Sequence, residues 1–154
     1  ILDYGCGFGS LLDYLERTHP TKVNRYHGYD ISEDMLLEAR NNLAGSSAYI
    51  NLHHKAEIDT QADFGFVSGT FNVRFDADDE AWTDFIKSVL FSLNEHCSEG
   101  FAFNLLSTYV DWQEPHLYYG DPCYWFDFCK RNFSKKVALL HDYPLWEWTI
   151  IVRK

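Results

Sequence analysis

The sequence predicts an α/β protein: a doubly wound sheet of seven strands, parallel except for an antiparallel hairpin strand at its C-terminal end. Three observations carry that reading. Strand-like and helix-like segments alternate along most of the chain, the pattern of a parallel sheet with helices on its faces. The opening "ILDYGCGFGS", residues 1–10, runs an apolar segment straight into glycines 5, 7 and 9. Only "DYPL" separates the last two apolar segments, too little chain for a parallel crossover, so that pair must be antiparallel.

Taken in order, residues 1–4 read as the end of a buried strand. Ser10 is placed to cap a short helix carrying Leu11, Leu12 and Leu15, which His19-Pro20 should stop. Residues 26–29 form the second strand, ending at Asp30. Ser32 then caps a helix with acids in its first turn and Met35, Leu36, Ala39 and Leu43 along one face. Residues 48–52 and 64–68 are the third and fourth strands. The clearest helix follows: Trp82, Phe85, Ile86, Val89, Leu90 and Leu93 keep a 3.6-residue period, from a start at Asp78-Asp79 to a stop at Gly100. Residues 101–106 are the fifth strand. Asp121-Pro122 opens another helix, with Pro in the first turn where its missing N–H costs nothing. Residues 137–141 and 146–152 are the sixth and seventh strands.

Composition bounds the partners. The chain has 154 residues, enough for one domain with a real core, and a formal charge of −10. Such acidity lacks the electrostatic footprint of non-specific nucleic-acid binding, and basic pairs such as Lys135-Lys136 are too few for a phosphate-tracking stripe. No segment is long and apolar enough to span a bilayer, and no basic-then-apolar leader precedes the first motif. The chain starts without Met and inside a strand, so a natural N-terminal segment is expected to be missing. Cys6, Cys97, Cys123 and Cys129 form neither a CxxC pair nor a secreted disulfide framework, which points to a reducing, cytoplasmic setting. His53-His54 near Glu57 and Asp59 reads as a polar surface loop, with no metal site expected.

The glycine ladder carries the chemistry. In a doubly wound sheet, ligands sit beyond the carboxyl ends of the strands where strand order reverses, and the first strand and its turn lie there. Glycines at 5, 7 and 9 let the backbone turn sharply and approach a ligand with no Cβ in the way. Asp30, closing the second strand, offers a carboxylate to both hydroxyls of a ribose. Together they imply an adenosine-type nucleoside.

The spacing is GxGxG with an acid two residues ahead, not the GxGxxG of dinucleotide-binding domains. "ILDYGCGFG" resembles motif I of the class I S-adenosylmethionine-dependent methyltransferases, and the resemblance covers essentially the whole chain, because that family's Rossmann-like seven-stranded sheet also ends in an antiparallel hairpin. The resemblance implies S-adenosylmethionine as cofactor. It implies that Tyr4, Gly5, Cys6 and Gly7 run along the methionine part of the cofactor, with Asp3 supporting the contact of Gly5 with its amino group. Asp30 then holds the ribose and Ile31 lies on the adenine; Met35 either faces the ring or packs in the core. Ser68 and Gly69 occupy the floor below the methyl group. The family's adenine-side acid after strand three has only Glu57 as a counterpart. "SGTFNV" after strand four is not the Asn/Asp-Pro-Pro-aromatic signature of enzymes that methylate the amino groups of bases and glutamine, so that substrate class is disfavoured.

The implied reaction is methyl transfer to an oxygen or nitrogen of a small-molecule acceptor, an in-line displacement in which alignment does most of the work. Acceptor-side candidates are Phe71, Asn72 and Arg74 after strand four, and Tyr109, Trp112, Tyr118 and Tyr119 after strand five. His116 is the general-base candidate, against the plainer reading of a solvated loop histidine. Two alternatives stand beside this one: an NAD(P)-dependent oxidoreductase, opposed by the glycine spacing and the terminal hairpin, and a non-catalytic cofactor-binding partner subunit.

Overall fold

The computed structural model describes residues 1–18 and 23–154. The predicted stop at His19-Pro20 lies outside the described residues. In chain order the elements are β1 (Leu2–Tyr4), α1 (Ser10–Thr18), β2 (Arg25–Asp30), α2 (Glu33–Asn42), β3 (Tyr49–His54), β4 (Ala62–Val67) and a 3₁₀ turn (Thr70–Asn72). Then come α3 (Asp79–His96), β5 (Cys97–Ser107), β6 (Tyr119–Gly120), α4 (Pro122–Asn132), β7 (Lys136–Leu140) and β8 (Glu147–Arg153). Strand order is β3-β2-β1-β4-β5-β8-β7, with the two-residue β6 added at the end of β5. β8 is antiparallel to both β5 and β7, while β1 to β5 pair in parallel. No helix among the described residues is long and apolar enough to cross a membrane.

The alternation of side chains across the sheet divides the core in two. Leu2 and Tyr4 join the large cluster under α3 and α4, whereas Ile1 and Cys6 join Leu12, Tyr26, Leu36 and Leu43 under α1 and α2. Asp3, between Leu2 and Tyr4, therefore points into the second layer, beside Tyr26.

The helices start where capping chemistry places them. Ser32 accepts a hydrogen bond from the Met35 amide at 3.3 Å, Asp78 from Ala81 at 2.8 Å, and Asp121 from Cys123 at 2.8 Å. Ser10, expected as a cap, is instead the first helical residue of α1. Gly100, expected to stop α3, sits inside β5, which begins at Cys97 directly after the helix. His53 and His54, expected in a loop, close β3, with the His53 ring stacked on Tyr29 at 4.3 Å.

No helix covers the crossover from β3 to β4. Residues 55–61 pass β2 and β1 and also run back along the sheet to start β4 in parallel, a path that leaves so short a segment no slack for a helix. Ile58 is buried in the large cluster, and the Tyr29 hydroxyl donates to Asp59 at 3.0 Å, so the short crossover is pinned at its middle.

Gly100 shows what holds the antiparallel strand close. Its φ is +143°, and a Cβ there would lie 2.1 Å from the Val152 carbonyl oxygen of β8. Gly100→Ala is expected to cost about 2–4 kcal/mol, strain and clash together. Urea unfolding measures it; a loss indistinguishable from zero would show that β8 yields at this point.

Candidate functional site

β1 lies between β2 and β4, so the chain leaves β1 in one direction for β2 and β3 and returns on its other side as β4. At this reversal the carboxyl ends of β1, β2 and β4 diverge and leave a crevice. The loop from Gly5 to Gly9 turns above it. Gly5, Gly7 and Gly9 have φ of +72°, +50° and +76°, a region that side chains with a Cβ rarely adopt. Space separates their roles. A Cβ at Gly5 would come within 2.0 Å of the Thr70 hydroxyl, and one at Gly9 within 2.6 Å of Leu43 on α2. Nothing lies within 4 Å of one at Gly7, which faces open space.

The end of β2 holds this loop. The Tyr29 carbonyl accepts both the Gly5 and Cys6 amides, at 2.7 and 3.0 Å. One Asp30 oxygen accepts the Gly7 amide and the other the Ser32 amide, each at 2.9 Å. From the opposite side the Thr70 hydroxyl donates to the Tyr4 carbonyl at 3.1 Å. The Gly9 amide is also used internally, by the Cys6 carbonyl at 2.9 Å.

These elements enclose a cleft of about 540 Å³, within the size range of small-molecule sites. Of the residues singled out in the sequence, Tyr4, Gly5, Asp30, Ile31, Ser68 and Gly69 line it. Asp3 lies beneath the loop instead, buried, accepting from the Tyr26 hydroxyl at 2.7 Å. Cys6 is buried in the core layer behind it, and Met35 is exposed on α2 without lining the cleft. Glu57 lines a neighbouring groove; on that side the cleft is bounded by Lys55 and Ala56. Lys55 is paired with Asp59 four residues on.

The wall facing the loop is aromatic. Trp82 and Phe85, read from the sequence as core positions of α3, also line the cleft, their rings 4.8 Å apart. The Trp82 indole donates to the Phe71 carbonyl at 2.9 Å, and Phe75 meets Trp82 edge-on. Phe75 is 70% exposed with φ +53°, an outlier for a bulky residue. Thr70, Val73 and Phe75 escaped sequence reasoning. The one signal for them was their place after a strand-four end that itself lined the expected site.

The acceptor-side candidates scatter. His116 is exposed and does not line the cleft; its carbonyl accepts the Arg74 amide at 3.1 Å. Arg74 spends its guanidinium on the Leu117, Ala77 and Pro115 carbonyls. Phe71 is fully buried, Asn72 bonds the Leu106 amide at 3.1 Å, and Tyr118 is buried against Thr83. Tyr109 is exposed beside His141. Trp112 and Tyr119 line a separate hollow.

Burial acts on two titratable groups behind the loop. Burial raises the Asp3 carboxyl to about 6, with Asp30 adding to the rise and the Tyr26 hydroxyl opposing it. Burial, with Asp3 and Asp30 behind it, pushes the Cys6 thiol up to about 12, so it is no thiolate nucleophile.

Comparison with known proteins identifies the family and the fold. Residues 1–95 match a family model described as a methyltransferase domain. The whole chain is 46% identical over 156 aligned positions to Rv1506c of Mycobacterium tuberculosis, covering 92% of that protein, which is itself named only provisionally as a methyltransferase. Among solved structures, magnesium protoporphyrin IX methyltransferase from Synechocystis PCC 6803 with bound S-adenosylmethionine matches 99% of the chain, at TM-score 0.66 and 17% identity, over 69% of its own length. An S-adenosylmethionine-dependent methyltransferase from Clostridium acetobutylicum matches 99% of the chain and 82% of its own, at TM-score 0.68 and 15% identity. At such identity the two structures speak to the fold.

The raised Asp3 carboxyl makes a stability prediction. The folded state holds this proton more tightly than an unfolded chain titrating near 3.8, so its stabilisation is complete below about pH 4 and lost as pH rises through 6. Asp3→Asn keeps an acceptor for Tyr26 and abolishes the titration. Between pH 4 and 7 the wild type is expected to lose on the order of 2–3 kcal/mol relative to this variant. Chemical unfolding of both across pH measures the difference; parallel profiles would contradict it.

Proposed function

The chain belongs to the family of class I S-adenosylmethionine-dependent methyltransferases, and from that premise we propose that the cleft holds the cofactor and that the methyl goes to an oxygen or nitrogen of a small molecule. The observation that carries the reading is the pairing of the Asp30 carboxylate with the glycine loop at the strand-order reversal, opposite an aromatic wall.

The residues present fit the cofactor. Gly7, with open space where a Cβ would be, gives its backbone to a close approach. Asp30 accepts one amide on each oxygen and has lone pairs left for ribose hydroxyls. Ile31, 71% exposed at the rim, offers an apolar face to an adenine. Tyr4 and Gly5 lie where the methionine part would run, over the buried Asp3. Ser68 and Gly69 floor the methyl end. Trp82 and Phe85 put aromatic faces on a cleft whose cationic ligand they favour by ~0.5–2 kcal/mol.

When bound, S-adenosylmethionine would supply a sulfonium methyl for in-line displacement by the acceptor's lone pair, with the thioether as leaving group and the acceptor's proton released to solvent. The protein's own part is placement. No histidine lines the cleft among the described residues, and His116 stands outside it. That arrangement suits a reaction driven by alignment, which is worth on the order of 7–11 kcal/mol. A pyrophosphate fits less well than a sulfonium nucleoside. The Gly5, Cys6, Gly7 and Gly9 amides already serve the Tyr29, Asp30 and Cys6 acceptors, and the lysine at the rim is paired with Asp59. The acidic chain and the modest cleft favour a small acceptor over a nucleic acid.

Calorimetric titration with S-adenosylmethionine, S-adenosylhomocysteine and NAD tests this. Both sulfur nucleosides are expected to bind and NAD to give no heat. Asp30→Ala is expected to weaken S-adenosylhomocysteine by about tenfold or more, the loss of one or two hydrogen bonds to a carboxylate. Binding of NAD alone would overturn the proposal.

A further inference from the structure

A second hollow, of about 240 Å³, opens beyond the end of β5. Trp112 and Trp146 line it together with Leu106, Leu117 and Tyr119. Trp112 is 69% exposed and Trp146 64%, whereas Trp125 and Trp148 are fully buried. Two of the largest apolar side chains thus stay at the surface, around a cavity. Asp111 and Glu114 also line the hollow, and no lysine, arginine or histidine among the described residues does.

This hollow is one residue pair away from the cleft. Val73 lines the cleft, Leu117 lines the hollow, and the two are joined as an antiparallel bridge. The junction is fixed. Asn72 accepts the Leu106 amide on its side chain at 3.1 Å and the Tyr118 amide on its carbonyl at 2.9 Å. Arg74 holds the Pro115 carbonyl at 2.6 Å and the Leu117 carbonyl at 3.3 Å. On the hollow's other rim the Glu114 amide donates to the Tyr119 hydroxyl at 3.0 Å. The Val73–Leu117 bridge therefore sets the lining of the hollow directly beside the lining of the cleft.

We propose that this hollow is the methyl-acceptor site and that it selects a flat apolar ring carrying a positive charge while rejecting anions. The proposal rests on the methyltransferase reading above. The apolar lining and paired indoles take the ring, by area and by stacking. The charge preference has two sources acting in the same direction: Asp111 and Glu114 attract a cation and repel an anion, and indole faces add a cation–π term. A partly hydrated site keeps each effect modest, and added salt weakens the carboxylate part.

The test uses three probes with one ring and different charge: tryptamine, tryptophol and indole-3-acetate. Each is titrated by ligand-observed NMR in the presence of saturating S-adenosylhomocysteine. Tryptamine is expected to bind about threefold tighter than tryptophol and about tenfold tighter than indole-3-acetate. Trp112→Ala, at an exposed position, is expected to weaken tryptamine about tenfold while S-adenosylhomocysteine affinity stays within about twofold. Asp111→Asn with Glu114→Gln is expected to bring indole-3-acetate within about threefold of tryptamine. Indole-3-acetate binding as tightly as tryptamine, or a Trp112→Ala variant that binds tryptamine normally, overturns the proposal. If S-adenosylhomocysteine binds and no indole probe does, the acceptor assignment alone falls. If S-adenosylhomocysteine does not bind the wild type, the methyltransferase reading falls and the acceptor role falls with it.

Discussion

The last two residues of β2 govern the site. Tyr29 takes two loop amides on one carbonyl, and Asp30 takes the Gly7 amide and the Ser32 amide on opposite oxygens. A strand end thereby ties the turn after β1 to the start of α2. The other constraints follow from that knot. Across the loop from β2, Thr70 stands so near Gly5 that a Cβ there would collide with its hydroxyl, while a Cβ at Gly9 would meet the end of the Leu43 side chain at a positive φ. Gly7, with nothing within 4 Å of where a Cβ would stand, gives its amide to Asp30. The three glycines look alike in sequence and do different physical work.

The two acids on this knot also differ. Asp30 stands at the rim with backbone donors on both oxygens, whereas Asp3 is enclosed with a tyrosine hydroxyl as its side-chain partner. Burying a carboxylate with so little compensation favours its neutral form, hence the rise to about 6. The loop therefore rests on a group whose charge changes within the physiological range, directly below the proposed seat of the cofactor's amino end.

Most of the architecture was legible because it is written in short-range chemistry. Glycine spacing, the acid closing β2, the caps at Ser32, Asp78 and Asp121, and the terminal hairpin all concern neighbours in sequence. The misreadings share one cause. Gly100 resembles a helix stop until β8 is seen packing its backbone against it, a contact between residues about fifty positions apart. Trp82 and Phe85 carry the helical period of core residues and are half-buried, yet they also form a wall of the cleft. Arg74 and Asn72, polar residues after a strand, read as ligand contacts, but Arg74 is spent on the loop that follows β5 and the Asn72 side chain on the end of β5 itself. Long-range packing decided each of these, and a single sequence does not display it.

β8 comes late in the chain yet lies in the interior of the sheet, between β5 and β7. Trp148, Ile150 and Val152 deliver the residues that close the large core cluster from that side. Until residues 147–153 have left the ribosome, β5 and β7 each present an open edge and a stripe of uncovered apolar side chains. Neither can pair with the other, because the gap between them is one strand wide. Synthesis thus passes through a stage in which most of the domain exists but its centre is unsealed, the kind of species that chaperones hold and that pairs with other chains when they do not. The same antiparallel strand that distinguishes this sheet is thus the piece that seals its core between β5 and β7.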